Sequence, residues 1–396
     1  MNRPVIVQAL RTPIGRANGR LKSIAPETLA AKVLKALINK AKVVPEAIDD
    51  VILGNVVGPG GNMARLASLT AGFPYKVPGV TIDRQCGSGL EAIVYAMRCI
   101  QAGAGDLYVA GGVESVSQAP WKMARPQSIH QVQPPQFYVR APFAPAQIGD
   151  PDMGQAAENV AQHYNITRED QDAYAMNSHE KATHSIKTGR FNNEMIAVST
   201  HDHNDLMVDE CPRSGSLYRL FRRLPPLFAD NGQQGTVTAG NACPMNDGAS
   251  AVLMMSEAKA KAFGLQPMAE VVDAVSIGVD PNLPGMGPVP AVTELLNRHQ
   301  LTIEAIDRFE LNEAFASQVL ASLRLLHIPE YKVNRGGGAI ALGHPYGASG
   351  GVIMTRLVHE LIMEDQQYGV ATMGIGGGIG TAVLVKRVQT QDPSIH

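Results

Sequence analysis

Apolar residues along the chain fall into two alternating kinds of segment: short unbroken runs, and longer stretches with apolar positions three and four apart. The runs at 51–53, 77–82, 107–112, 309–311 and 370–378 read as buried strands, and residues 1–10 as a further short strand. Stretches 29–40 and 292–298 read as amphipathic helices. Leu90, Ile93, Val94, Met97 and Ile100 share one face of a helix after the 77–82 strand. This alternation predicts an α/β chain built from βαβ units.

The pattern occurs twice. Glu46-Ala47-Ile48-Asp49 recurs as Glu304-Ala305-Ile306-Asp307, 258 positions later, and each copy follows a helix and precedes a strand. Ser88-Gly89 and Ser349-Gly350, 261 positions apart, each open a helix that leads to a strand ending in glycines. Two homologous α/β halves are expected. Between them the pattern changes: residues 120–151 hold seven prolines and little periodicity, 168–188 read as a polar helix, and 201–247 are irregular. This is a loop-rich insertion into the first half, placed to cover a site. The expected division is 1–116 and 247–268 for the first half, 117–246 for the insertion and 269–396 for the second half.

Composition narrows the functional classes. Of 396 residues, 18% are charged and 45% hydrophobic, which suits a globular chain. Lys plus Arg number 34 against 36 Asp plus Glu, with no basic run, which argues against nucleic acid as a partner. No apolar run approaches the roughly 18 residues of a membrane span. Residues 1–10 lack a secretory pattern, and Pro393-Ser394-Ile395-His396 is no peroxisomal or ER address. Four cysteines are too few for a disulfide framework, so a cytoplasmic protein is expected. Glycine is in excess, 39 residues, clustered at 58–61, 87–89, 103–112, 336–351 and 374–380. These clusters end periodic segments, which points to tight strand–helix junctions.

Two junctions carry candidate chemistry. Cys86 lies in Asp83-Arg84-Gln85-Cys86-Gly87-Ser88-Gly89, between a strand and a helix, where a helix N-terminus is expected to lower its thiol pKa. The alternative is a small buried residue at a tight turn. His344 lies in Gly343-His344-Pro345-Tyr346-Gly347, at the corresponding junction of the second half. A thiol from one junction facing an imidazole from the other makes an activated nucleophile. In Leu311-Asn312-Glu313-Ala314-Phe315-Ala316, Asn312 is a candidate hydrogen-bonding group for a water or carbonyl, and Glu313 a structural acid. His201-Asp202-His203 lacks a third metal ligand at sensible spacing and reads as a solvated loop. Cys99 and Cys211 are expected to be structural.

Taken together, these segments resemble the thiolases, the acyl-CoA C-acyltransferases, over nearly the whole chain. The resemblance extends to Arg11-Thr12-Pro13-Ile14-Gly15, Ala110-Gly111-Gly112-Val113-Glu114-Ser115, Met153-Gly154-Gln155-Ala156-Ala157-Glu158-Asn159-Val160 and residues 236–247. It implies a thiolase fold: two pseudo-symmetric α/β halves in five αβαβα layers, with a loop domain inserted in the first. It implies that an acyl-CoA acylates Cys86 while His344 takes the thiol proton. Asn312, through a water, would form one oxyanion hole with His344, and the backbone N–H groups of Cys86 and Gly376 the other. Met153, Ala242, Cys243, Ala314 and Phe315 would line the substrate, Cys243 standing where the family usually has Ser. The resemblance implies no cofactor, with CoA and acyl-CoA as substrates, and a homodimer or homotetramer.

The sequence departs from that pattern at Gly374, where thiolases carry a second, acid/base cysteine. A water in the vacated room, Cys243, or a reaction needing no such base are the three expected remedies. Of the two directions, thiolysis of 3-oxoacyl-CoA is expected to suffer less, because a thiol ionises more readily than a carbon acid. The alternatives are a decarboxylative synthase, a slow acyl-CoA hydrolase, or a non-catalytic acyl-CoA-binding subunit. Asp152-Met153 and Pro284 also differ from short-chain members, at positions that bear on acyl length.

Overall fold

The computed structural model describes residues 2–125, 135–201, 204–215, 217–228 and 235–389. Asp202 and His203, and Pro393-Ser394-Ile395-His396, lie outside the described residues.

The first half opens with β1 (Pro4–Arg11), then α1 (Pro26–Ala41), β2 (Asp50–Gly54), α2 (Met63–Thr70), β3 (Gly79–Ile82), α3 (Ser88–Ala102) and β4 (Leu107–Ser115). The insertion carries α4 (Met153–His163) and α5 (Arg168–Lys187), after which β5 (Asn246–Ser256) returns to the first half. The second half runs β6 (Ala269–Gly278), α6 (Pro288–Arg298), β7 (Arg308–Leu311), α7 (Ala316–Leu326), α8 (Tyr346–Met363), β8 (Tyr368–Ile375) and β9 (Ile379–Arg387).

Strand order is β7-β8-β9-β6-β1-β5-β4-β2-β3. In the first half β2 is parallel to both β3 and β4, while β4–β5 and β5–β1 are antiparallel. The second half repeats this: β7 is parallel to β8, and β8–β9 and β9–β6 are antiparallel. Even the outer strand has a counterpart, since Val333 bridges Phe309 in parallel as β3 pairs with β2. A short antiparallel contact of Val5 and Ile6 with Glu270 and Ala269 joins the halves.

Side-chain alternation along the strands separates the layers. Val51 and Leu53 of β2 face α1 and α2, whereas Ile52 faces inward. Phe309 and Leu311 of β7 pack outward with Val319, Leu323 and α6 residues. The middle cluster joins α3 (Leu90, Ile93, Met97) and α8 (Met354, Leu357, Leu361) to strands of both halves, including Ile6, Ala110, Met373 and Val383. Helices α3 and α8 thus form the central layer, as five αβαβα layers require.

Element ends differ from the expectations by a few residues, and one difference matters. Helix α8 begins at Tyr346, three residues before Ser349, because Pro345 O accepts the N–H groups of Ala348 and Ser349 at 2.8 and 2.9 Å. Ser349 is therefore inside the first turn, its hydroxyl free to meet His344. Among the described residues no helix is long and apolar enough to cross a membrane.

Candidate active site

The glycine clusters bring the starts of α3 and α8 together. A Cβ on Gly112 would lie 1.9 Å from Gly347 O, and one on Gly350 would lie 2.0 Å from Leu90 N. Backbone occupies those places, so no side chain fits. Cys86 and His344 each lie a few residues before these contacts, at the same end of the central layer.

The turn before α3 is held by its own polar groups. Arg84 N–H donates to Ser88 Oγ (2.8 Å), and the Ser88 hydroxyl donates to Gln85 O (2.6 Å). Gln85 takes φ 43°, a left-handed conformation that costs about 1 kcal/mol or more for a non-glycine residue. The N–H groups of Cys86 itself and of Gly376 lie near enough to the thiol to favour its ionised form. Cys86 is partly accessible. Its thiol does not have the lowered pKa expected of a helix N-terminus. Burial, reinforced by Glu114 and Asp83, outweighs the two backbone donors and pushes it up to about 12.

His344 is fixed on three sides. Its backbone N–H donates to Asn246 Oδ1 (2.8 Å), and Asn246 Nδ2 donates in turn to Gly15 O and Cys211 Sγ. Nδ1 lies 2.6 Å from Ser349 Oγ, whose hydroxyl donates to Pro345 O (3.0 Å). Ser349 has thus committed its proton and accepts one from Nδ1–H, which leaves the lone pair on Nε2. Asn312 Nδ2 faces Nε2 at 3.4 Å. Burial lowers the imidazole pKa to about 4, so at neutral pH it is an uncharged acceptor.

Asn312 follows β7 directly, its N–H bonded to Thr372 O (3.0 Å) and its carbonyl to Gln318 Nε2 (3.1 Å). Glu313 is a structural acid: it accepts from Tyr174, Ser178, Asn334 and the N–H of Ile340. Met153, Ala242, Cys243, Ala314 and Phe315 gather in one apolar cluster with Ala157 and Val237. Ala242 bridges Phe315, and Cys243 N–H donates to Ala314 O (2.9 Å). Cys211 is held by Asn246, and Cys99 is a helical residue beside Tyr108.

The position of Gly374 is closed. A Cβ there would lie 2.9 Å from Pro284 O and 3.1 Å from Gly285 Cα. Gly374 pairs with Gly380, whose own Cβ would meet Gly287 O at 1.9 Å. The Pro284–Met286 turn thus rests directly on the paired strands and fills the room in which a water had been expected. Cys243 lies close enough to interact electrically with Cys86, but burial drives its thiol pKa far above the ordinary range. It is protonated at neutral pH.

Family models for the thiolase N-terminal domain and the thiolase C-terminal domain match residues 4–258 and 265–387. The chain is a member of the thiolase family. As a thiolase it is an enzyme of the acyltransferase class. It is 48% identical over 387 residues to VraB of Staphylococcus haemolyticus, provisionally named an acetyl-CoA C-acetyltransferase; the match spans 98% of this chain and 99% of VraB. The solved Bacillus anthracis acetyl-CoA acetyltransferase superposes with a TM-score of 0.92 at 38% identity, covering 98% of this chain and 99% of that one. Human mitochondrial 3-ketoacyl-CoA thiolase, solved in complex with CoA, gives 0.92 at 36% identity over 98% of both chains.

Several residues around this candidate site of the thiolase escaped the sequence reading. Glu114 accepts the N–H of Gly347 (2.9 Å) and those of Val56 and Val57, clamping the start of α8 to β4. Burial raises its carboxyl to about 7 despite those donors. Phe143, from the insertion, lies against the Gly376 turn, where a Cβ would come within 2.7 Å of its ring. Tyr346 stands edge-on to His344, centroids 5.1 Å apart. Glu114 lay inside a motif already singled out. Phe143 sits among prolines with no pattern to mark it.

Proposed function

We propose that this thiolase moves acyl groups between CoA thioesters through an acyl-Cys86 intermediate, with net thiolysis of 3-oxoacyl-CoA. Cys86 Sγ attacks the 3-oxo carbonyl as its proton passes to His344 Nε2, and the oxyanion is stabilised by hydrogen-bond donors held in place beforehand. Breaking the C2–C3 bond releases the acetyl-CoA carbanion, which takes the proton back from the imidazolium. The thiol of free CoA then gives its proton to His344 and attacks acyl-Cys86, and the proton returns to Cys86. What supports this most is an uncharged His344 whose Nδ1 is held by Ser349, leaving Nε2 as the acceptor, at the junction that adjoins the Cys86 turn.

Gly374 shapes the balance of steps. Thiolysis is not spared by the easier ionisation of a thiol, contrary to the expectation above: a group that serves the carbon–carbon step serves it in both directions, so its loss slows cleavage and formation of that bond alike. Exchange of acyl groups between CoA and Cys86 needs only thiol ionisation and is untouched. Net thiolysis then follows from an excess of free CoA, not from a one-way catalyst.

The experiment is intact-protein mass after incubation with acetyl-CoA, alongside acetoacetyl-CoA turnover. Acylation of the wild type and none of Cys86→Ala is expected. No mass gain on the wild type, or an equal gain on both, overturns the proposal. The closed Gly374 position also favours a second reading, a decarboxylative condensation, which makes its carbanion by losing carbon dioxide. Carbon dioxide release from malonyl-CoA faster than acetoacetyl-CoA thiolysis would establish that reading in place of the first.

A further inference from the structure

Behind Asn312, between β7 and α8, lies a cavity of about 20 Å³ lined by Glu310, Asn312, Ser349, Val352 and Arg356 among others. Glu310 and Asn312 are two residues apart, so they turn to the same side of the chain, opposite Phe309 and Leu311 in the outer core. Ser349 and Arg356 are seven apart on α8, and therefore on one helical face. Asn312 is 1% exposed and Arg356 1%. Asn312 Oδ1 and Arg356 Nε are both buried without a hydrogen-bond partner.

Arg356 is held at its other guanidinium atoms. Its terminal nitrogens donate to Glu194 (3.1 Å) and Glu360 (3.2 Å), and the Phe191 ring lies 4.4 Å from its guanidinium carbon. Glu310 Oε2 is 3.6 Å from Nε, beyond a hydrogen bond. Two buried polar atoms without hydrogen-bond partners, on residues that line one gap, cost about 1–3 kcal/mol each if left so. A cavity above about 10–15 Å³ with two or more polar partners holds a water.

We propose that this cavity binds one ordered water that accepts from Arg356 Nε–H and donates to Asn312 Oδ1, making Arg356 a positioning residue for Asn312. With Oδ1 drawn backward, Nδ2 is committed to the His344 side, where the reaction occurs. Charge and shape from the insertion (Glu194, Phe191) are thereby relayed to the site through α8. The positioning role rests on the part given above to Asn312; the water site does not.

The test has two arms. A crystal structure of the wild-type enzyme, at a resolution that shows ordered water, is expected to place a water within hydrogen-bonding distance of both atoms. A dry cavity, or an Asn312 amide turned the other way, overturns the proposal. In the second arm, Val352→Ile adds one methylene at the cavity wall, and Arg356→Lys keeps the charge without the Nε–H. Each is expected to slow single-turnover acylation of Cys86 by acetyl-CoA about tenfold, the worth of one hydrogen bond, with little change in KM and a lowered thermal midpoint, because buried polar atoms lose their partner. Full-rate acylation in a Val352→Ile enzyme whose own structure shows the cavity filled overturns the positioning role. Failure of the wild type to acylate overturns the reading of Asn312, while the crystallographic arm still decides the water.

Discussion

His344 Nδ1 lies 2.6 Å from Ser349 Oγ, and the Ser349 hydroxyl gives its proton to Pro345 O, so the serine fixes which imidazole nitrogen is basic. The contact strengthens when His344 becomes an imidazolium, because a hydrogen bond to a charged group is worth about 1.5–3 kcal/mol. Ser349→Ala is therefore expected to slow Cys86 acylation by about 10- to 100-fold with little change in KM. Single-turnover mass spectrometry with acetyl-CoA checks this. A variant acylated at the wild-type rate would show that the tautomer is set elsewhere.

The pH dependence follows from two opposed shifts. Only neutral His344 accepts the thiol proton, and burial has moved its pKa from 6.5 down to about 4. The neutral fraction is complete at pH 6.5 and falls as pH drops through about 4. Cys86, raised to about 12, stays a thiol across the usual range. Acylation rate is expected to be flat from pH 6 to 9 and to decline with a midpoint near 4. Stopped-time acylation across that range is the measurement, and a midpoint near 6.5 would mean that His344 is solvated in the working enzyme.

Most of the architecture was legible because it is written in periodicities. Short unbroken apolar runs marked 51–53 and 309–311, helical spacing marked 90–100, and the repeated Glu-Ala-Ile-Asp tetrads tied the two halves together. The placement of Cys86 and His344 at matching, adjoining junctions was legible for the same reason, since the repeat aligns those junctions. The Cys86 pKa was not, because a helix N-terminus is visible in one dimension and the depth of surrounding protein is not. Nor was the closure at Gly374. That depends on a turn some 90 residues earlier, Pro284–Met286, resting on the sheet, and no spacing rule connects the two.

That closure changes what a restored cysteine can do. At position 374 a Cβ meets backbone atoms at 2.9 and 3.1 Å, and backbone cannot rotate aside as a side chain can. Gly374→Cys and Gly374→Ala are both expected to lose about 1–3 kcal/mol, the usual cost of overpacking. Neither is expected to speed acetoacetyl-CoA formation. Chemical denaturation and a coupled condensation assay test the pair. A rise in condensation by orders of magnitude in Gly374→Cys at unchanged stability would show that the turn yields readily.

The largest stability effect is expected far from the sulfur. Arg11 is fully buried and ion-paired to Glu194 (2.8 Å) and Asp209 (2.7 Å), with the Phe191 ring 5.2 Å away. Asp209 also accepts the N–H of Ile14. This cluster ties β1 to the insertion, and through Glu194 it reaches Arg356 on α8. Arg11→Leu fills similar space but leaves the Asp209 carboxylate buried without its cation, a loss of about 3–5 kcal/mol. The exposed pair Arg298–Glu294, four residues apart on α6, provides the contrast. Glu294→Ala there is expected to cost no more than about 0.5 kcal/mol. Urea midpoints of the two variants against the wild type make the comparison. Equal, small shifts would mean that the buried cluster relaxes or takes in water, and that the insertion is not anchored through Arg11.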